Sequence, residues 1–376
     1  MSRSRRVIAS LGAVTLLLVI PVASHAATPA DQAVAADAVA WIGTQQQPDG
    51  GFEVAGFPGF ETRDASLAIA EQAQTGASWS ASEATDALAA LEFGGAGGPT
   101  PLDALDAYAA SLVPGGQPTS QAGAAAKTIA LSAQPLGLDP AAFDAAGDGS
   151  PVDLTALLDG ECDLLTFSDV LWGMIAGVTV CDTAPDEAVS AVVAAQQADG
   201  GWAFNGDPTA SGFDGDTTGL AVQALIAAGV EGDAPVITAA LRLAALDHAP
   251  DGGWFDFFGT ASNPSTTAIV AIGIAAAGFD PTVACWRDTV APELAGAAYV
   301  DPIAWLRSQQ APDGHITSPY DEFGVNTLTT SQSVHAILMN WFPVSPSAAQ
   351  TCEVPPPPPD VVPATPITAV TPRFTG

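Results

Sequence analysis

The sequence predicts an all-α chain whose helices pair into six hairpins and close into an (α/α)6 toroid, followed by a disordered Pro-rich C-terminal tail. Three observations carry this: a turn motif that recurs in register, an apolar helical run after each turn, and a length that six hairpins use up with no polar capping repeat. The turn reads Gln46-Gln47-Pro48-Asp49-Gly50-Gly51-Phe52 in its first copy. It returns as Gln196-Gln197-Ala198-Asp199-Gly200-Gly201-Trp202 and as His248-Ala249-Pro250-Asp251-Gly252-Gly253-Trp254. A fourth copy, Gln310-Ala311-Pro312-Asp313-Gly314-His315-Ile316, alters the last two positions. Hairpins repeated at a fixed period cannot bury their own faces, so neighbours must do it. An open spiral of the same hairpins is the rival arrangement.

Each turn follows an amphipathic run: Ala38–Gln46, Glu187–Gln197, Val236–Leu246 and Pro302–Gln310. Glycine then ends the helix, because it takes the left-handed conformation of a C-cap without strain. These are the expected outer helices. Two further ones, around Ser80–Phe93 or Pro101–Val113 and around Val152–Leu158, lack the glycine turn. The inner helices are expected to open near Asp64, Ser120, Ser168, Asp216, Ser265 and Thr330 and to be apolar nearly all round, as elements buried on both sides are.

The ends differ from the body. Arg3, Arg5 and Arg6 precede the apolar stretch Val7–Val22 and a small-x-small step at Ser24-His25-Ala26, so residues 1–26 read as a signal peptide. A loose twin-arginine match leaves the Sec or Tat route open. The toroid is expected over residues 30–345. Residues 353–376, with Pro355–Pro359 at their head, read as an extended tail that cannot pack and that could engage a cell-surface partner. No later run is long enough to span a bilayer, so no transmembrane segment is expected in the mature chain. The expected location is secreted.

Nine Lys+Arg stand against 41 Asp+Glu, for a net charge of −32. So few cations cannot form a basic stripe, which excludes a nucleic-acid partner. Hydrophobic residues make up 48%, enough for a large core despite the charge. Cys162, Cys181, Cys285 and Cys352 are an even set in an exported chain and predict two disulfides. Among the three pairings, the nearest-neighbour one joins Cys162 to Cys181 and Cys285 to Cys352. No CxxC or HxxxH spacing exists, so no zinc site is expected; calcium at Asp207/Asp214/Asp216 or Asp321/Glu322 lacks EF-hand spacing, and no P-loop or dinucleotide fingerprint appears, so no metal and no cofactor are expected.

The Q-x-x-D-G-x-[FW] turns resemble the repeat of terpenoid cyclases and protein prenyltransferases, including squalene–hopene cyclases. Cobalamin carriers such as intrinsic factor and transcobalamin share that α/α toroid. The segment Gly212-Phe213-Asp214-Gly215-Asp216-Thr217-Thr218 is similar to the D-x-D-D-T-A motif of proton-initiated cyclases. The resemblance implies a general acid at Asp216 with Asp214 as its neighbour, while Thr217 stands where those enzymes carry a third Asp. Such an acid must stay protonated near neutral pH, which a second carboxylate and an apolar pocket both favour. Capping explains the same residue differently: Asp216 precedes an apolar run, as do Asp64, Ser120, Ser168, Ser265 and Thr330.

Aromatic residues gather in the segments that lead into inner helices. Phe52, Trp202 and Trp254 belong to the repeat and read as core. Phe57, Phe60, Phe204, Phe213, Phe255, Phe257, Phe258, Tyr320 and Phe323 are candidates for the rim of a cavity. All of these but Phe57 and Phe60, together with Asp214, Asp216, Asp256, His315 and Asp321, form the expected ligand-binding set. His248 replaces a repeat Gln and reads as structural. The expected function is a non-catalytic binder of a small apolar or macrocyclic ligand, isoprenoid or corrinoid-like. The alternatives are a proton-initiated terpene or squalene cyclase using Asp216, and a structural or protein-interaction toroid. A zinc prenyltransferase is disfavoured, since no Asp/Cys/His set is available to it.

Overall fold

The computed structural model describes residues 27–53, 61–76, 78–116, 120–319, 327–342 and 345–346. The expected signal peptide, the Pro-rich tail and Cys352 lie outside the described residues. So do Phe57, Phe60, Tyr320, Asp321 and Phe323.

The fold is helical, with one two-residue antiparallel pair (β1 Asn340–Trp341, β2 Ser345–Pro346) among the described residues. The buried helices are α2 (Glu61–Gln72), α5 (Gln121–Thr128, continued by a π-helical turn Ile129–Ala133), α6 (Phe167–Ala176), α8 (Gly215–Ala227), α10 (Pro264–Ala276) and α13 (Thr327–Ile337). They pack in chain order: α2 on the π turn, α5 on α6, α6 on α8, α8 on α10 and α10 on α13. The last, α13, packs on α2. Around them lie α1 (Pro29–Thr44), α3 (Ala81–Ala89), α4 (Pro101–Ala110), α7 (Pro185–Ala194), α9 (Pro235–Asp247), α11 (Cys285–Val290) and α12 (Pro302–Ser308). Proline opens α1, α4, α7, α9, α10 and α12, where its missing N–H has no intrahelical partner to lose.

The repeat motif acts through one set of contacts used four times. The Asp side chain accepts the N–H two residues on, at Asp49, Asp199, Asp251 and Asp313. The following glycine has positive φ: Gly50 +89°, Gly200 +106°, Gly252 +105° and Gly314 +102°. A Cβ at Gly200 would lie 2.4 Å from the Ala239 carbonyl oxygen, so this glycine serves both the turn and its close approach to the next outer helix. Gln46, Gln196 and Gln310 each donate to the glycine carbonyl of their own turn. Each also donates to the next hairpin's backbone, at Leu91 O, Val236 O and Val34 O. His248 takes the same place, 3.1 Å from Gly252 O and packed at a tilt against Trp254. The N–H groups of Phe52, Trp202, Trp254 and Ile316 donate to the hydroxyls of Thr62, Thr218, Thr267 and Thr330 on the adjacent inner helix. Phe52, Trp202 and Trp254 are core residues.

Several expectations are corrected. The Val152–Leu158 segment holds only a 3-10 turn, Thr155–Leu157, because Val152 is drawn into a bridge with Phe143. Both α3 and α4 form, where one of the two was expected. Ser120 does cap α5, but α6 is capped by Thr166 rather than Ser168 and α10 by Asn263 rather than Ser265. Asp64 and Thr330 lie inside α2 and α13. Nor are the inner helices apolar all round. Glu61, Arg63, Asp64 and Glu71 of α2 and His335 of α13 are buried. Buried charge persists only when paired, and the pairs here cross between helices: Asp64 with Lys127 at 3.1 Å and Glu71 with His335 at 2.6 Å.

A disulfide joins Cys162 and Cys181, 19 residues apart, as the nearest-neighbour pairing predicts. Cys285 is also not free. Loop closure of this length contributes about 3 kcal/mol. A Cys162→Ser/Cys181→Ser variant should therefore unfold at lower urea; an unshifted midpoint would show that the bond adds nothing. No helix among the described residues is long and apolar enough to cross a membrane.

Candidate functional site

Two loops, each following a repeat turn, meet above α8 and α10. The first runs from Ala203 to Asp214 and the second from Phe255 to Ser262. They touch at Gly212, where a Cβ would stand 3.5 Å from the Phe257 ring.

Asp214, not Asp216, caps α8. Its carboxylate accepts the Thr217 N–H at 3.1 Å and the Thr217 hydroxyl at 2.8 Å. Thr217, which replaces the third Asp of the cyclase motif, is thus occupied in holding the cap. Burial pushes Asp214 up, and the Thr217 hydrogen bonds pull against it. Asp216 is the second residue of α8 and does not cap. It keeps exposed surface, yet protein mass around it pushes its pKa up to about 7. Burial is the main cause. The Asp214 charge adds to it, the neighbouring Thr266 hydroxyl of α10 opposes it, and Asp256 contributes a further push upward.

Asp256 is built in. It accepts the Phe258 N–H at 2.8 Å and the Asn263 side-chain amide at 2.9 Å, tying the aromatic loop to the residue that caps α10. Phe257 and Phe258 meet edge to face at 5.1 Å. Phe204, Phe255, Phe257 and Phe258 are 67, 43, 47 and 87% exposed, while Phe213 is half-buried. The structure therefore brings Phe204, Phe213, Asp214, Phe255, Asp256, Phe257 and Phe258 to two adjoining loops, with Asp216 at the start of the helix that follows the first. His315 sits elsewhere: its ring stands 2.6 Å from Asp313 and packs on Trp41 of α1, at the seam between the fourth turn and the first helix.

Sequence reasoning missed Thr266 and Asn263, since a Thr and an Asn at a helix start look like ordinary caps. It also missed a polar assembly among the inner helices. Lys127 lies over the Trp172 ring at 5.2 Å, and Trp172 packs on Phe342 at 5.4 Å. Phe342 packs in turn on His335, and its N–H donates to Gln223 of α8 at 3.1 Å. The visible signal was charge within otherwise apolar runs, Glu71 in one and Lys127 in another.

No known family and no curated protein matches this chain. Among solved structures it is similar to the type II terpene cyclase MstE from Scytonema, free of ligand, at TM-score 0.55 and 15% identity over 82% of this chain and 97% of that one. A point variant of that enzyme, in complex with its product merosterolic acid A, matches at TM-score 0.54 and 15% identity, over 82% and 96%. A protein from Actinoplanes matches at TM-score 0.50 and 15% identity, over 82% and 99%. At these identities the likeness shows the fold: an all-α, terpene cyclase-like toroid.

Proposed function

We propose that this is an exported, closed six-hairpin toroid that binds an apolar ligand, of which an isoprenoid is the first candidate, at the recess around Asp216. Closure is supported by bonds between the first and last hairpins: the Arg307–Asp31 ion pair, Gln310 to Val34 O, Thr327 to Phe52 O at 3.2 Å, and Glu71–His335. The disulfide supports export, since such bonds persist in oxidising compartments. The observation that carries the binding reading is the group of exposed phenylalanines beside a poorly hydrated carboxyl. Contiguous exposed apolar surface of this kind marks an interaction site. MstE is also solved with geranylgeranyl dihydroxybenzoate, which supports a prenyl chain as the probe.

Geranylgeraniol should bind saturably, shift the melting temperature, and lose affinity in a Phe255→Ala/Phe258→Ala variant. Indifference to polyprenols and corrinoids alike would remove this reading and leave a structural toroid. Binding should also depend on pH. Asp216 is neutral below about pH 7 and charged above it. An apolar ligand beside a carboxylate loses its hydration at a cost, so affinity should fall about tenfold between pH 5.5 and 8.5. Asp216→Asn should abolish that dependence.

The same variant tests stability. An unfolded aspartate ionises near 3.8, and folded Asp216 holds its proton to about 7. Between these values the folded state carries the extra proton, so stability falls as pH rises through the window. Solvent screening at this accessible carboxyl limits the loss to roughly 1–2 kcal/mol. Asp216→Asn should gain that much over the parent at pH 8 and nothing at pH 3.5.

A second reading, a proton-initiated cyclase, is favoured by one observation: Asp216 is free of capping and holds its proton near neutrality. Squalene or a prenyl diphosphate would then be turned over by the parent and not by Asp216→Asn, with ligand binding kept in both.

A further inference from the structure

Lys127 is the only lysine in the 376-residue sequence. It lies on an inner helix, with its ammonium 3.1 Å from Asp64 Oδ2 and over the face of Trp172. Its side chain is 15% exposed and that of Asp64 is 2% exposed, so solvent meets the lysine side chain and not its counter-ion. Apart from histidine, the other basic side chains of the described residues are arginines, including Arg63 one residue from Asp64. An arginine makes the better buried ion pair, with five fixed donors and weaker hydration. What lysine offers instead is a nitrogen that can lose its proton and attack a carbonyl.

We propose that Lys127 is a reactive amine that captures an apolar aldehyde as an imine, with Asp64 as the counter-ion. This site stands apart from the Asp216 recess and does not rest on the reading of that recess.

The groups facing Lys127 from each neighbouring element fit the role. Asp64 attracts the ammonium from α2, Arg63 repels it from the same helix, and Glu53 adds a more distant negative charge. From α13, His335 is paired with Glu71. Burial dominates and holds the amine below the ordinary lysine range. In the reaction the ammonium passes a proton to Asp64, and the freed lone pair bonds to the carbonyl carbon. The carbinolamine hydroxyl then takes a proton and leaves as water. The product is a protonated imine facing the Asp64 carboxylate: ammonium and aldehyde go to iminium and water, with no redox change. Trp172, backed by Phe342, supplies an apolar wall for the body of the aldehyde. An aldehyde carries one carbon substituent, which suits the narrow exposure.

Uniqueness makes the test clean, since the α-amine is the only competing primary amine. The full chain is incubated at pH 7 with citral, an isoprenoid aldehyde, and cyanoborohydride, then mapped by peptide mass spectrometry. Near-stoichiometric reduced adduct at Lys127 is expected. Lys127→Arg, which keeps the charge beside Asp64, should retain the melting temperature and carry adduct at the α-amine alone. The Arg242→Lys change made on the Lys127→Arg background provides an exposed comparator and should react at least tenfold more slowly. No adduct at Lys127, or a rate no greater than the comparator's, overturns the proposal. Faster trapping of glyoxylate than of citral overturns the apolar class. Because geranylgeraniol has no carbonyl, failure here leaves the Asp216 reading separately testable.

Discussion

Replacing Glu71 with Ala should lower unfolding stability by about 3–5 kcal/mol, because it leaves His335 buried without its partner. Both side chains are fully enclosed and stand 2.6 Å apart. Burial raises the Glu71 pKa. Burial alone would lower that of His335, but the charge and hydrogen bond of Glu71 outweigh it and leave His335 raised. Both shifts point the same way. The folded state retains protons that the unfolded chain releases, so the pair's contribution is full only below the unfolded glutamate value of 4.5 and declines as pH rises through the folded values of both groups. Urea midpoints measured from pH 5 to 9 should fall with pH in the parent and fall less in the variant. A Glu71→Met/His335→Leu double variant separates pairing from packing. Well-packed apolar replacement of a buried pair is often neutral or stabilising, so it should recover most of the loss. A Glu71→Ala cost below 1 kcal/mol would mean that the pair is hydrated after all.

Trp254→Ala should cost a similar amount, about 3–5 kcal/mol. The ring is fully buried, packs on His248 and Trp286, and donates from Nε1 to Ala244 O at 2.8 Å. Four positions on, Phe258 belongs to the aromatic loop and is 87% exposed. Its replacement by Ala should move stability by no more than about 0.5 kcal/mol. The contrast, read from urea midpoints at constant m-value, divides the rings that hold the hairpins together from those available to a ligand. Equal losses at the two positions would remove the case for a recess built from spare aromatic surface.

The hairpin repeat was legible because its demands are steric and fall on single residue types. Only glycine fits at Gly200, where φ is +106° and a carbonyl lies within 2.4 Å of a Cβ. The glutamine two hydrogen bonds deep in each turn and the threonine that receives the aromatic N–H are written with the same regularity. The site was legible in its parts but not in their roles. Asp214 and Asp216 both precede an apolar run, and sequence alone could not say which side chain turns back onto the helix end. Two residues of register decide whether a carboxyl is a cap or is left over. The polar interior was hidden for a different reason. A charge in a helical run normally marks a solvent face, and Asp64, Glu71 and Lys127 find their partners on helices more than 50 residues away in sequence. Such pairing leaves no local trace.

The stitching of the last hairpin to the first has a consequence for how the molecule comes apart. In a linear array of repeats the terminal units have one neighbour fewer, and they loosen before the middle does. Here Asp31 and Val34 at the start are bound to Arg307 and Gln310 near the end, so neither extremity is left as a weak margin. In the closed ring proposed above, opening any one hairpin breaks two interfaces wherever it lies. The molecule should therefore melt as a unit, with its outermost helices guarded from solvent exchange as firmly as those halfway along the chain.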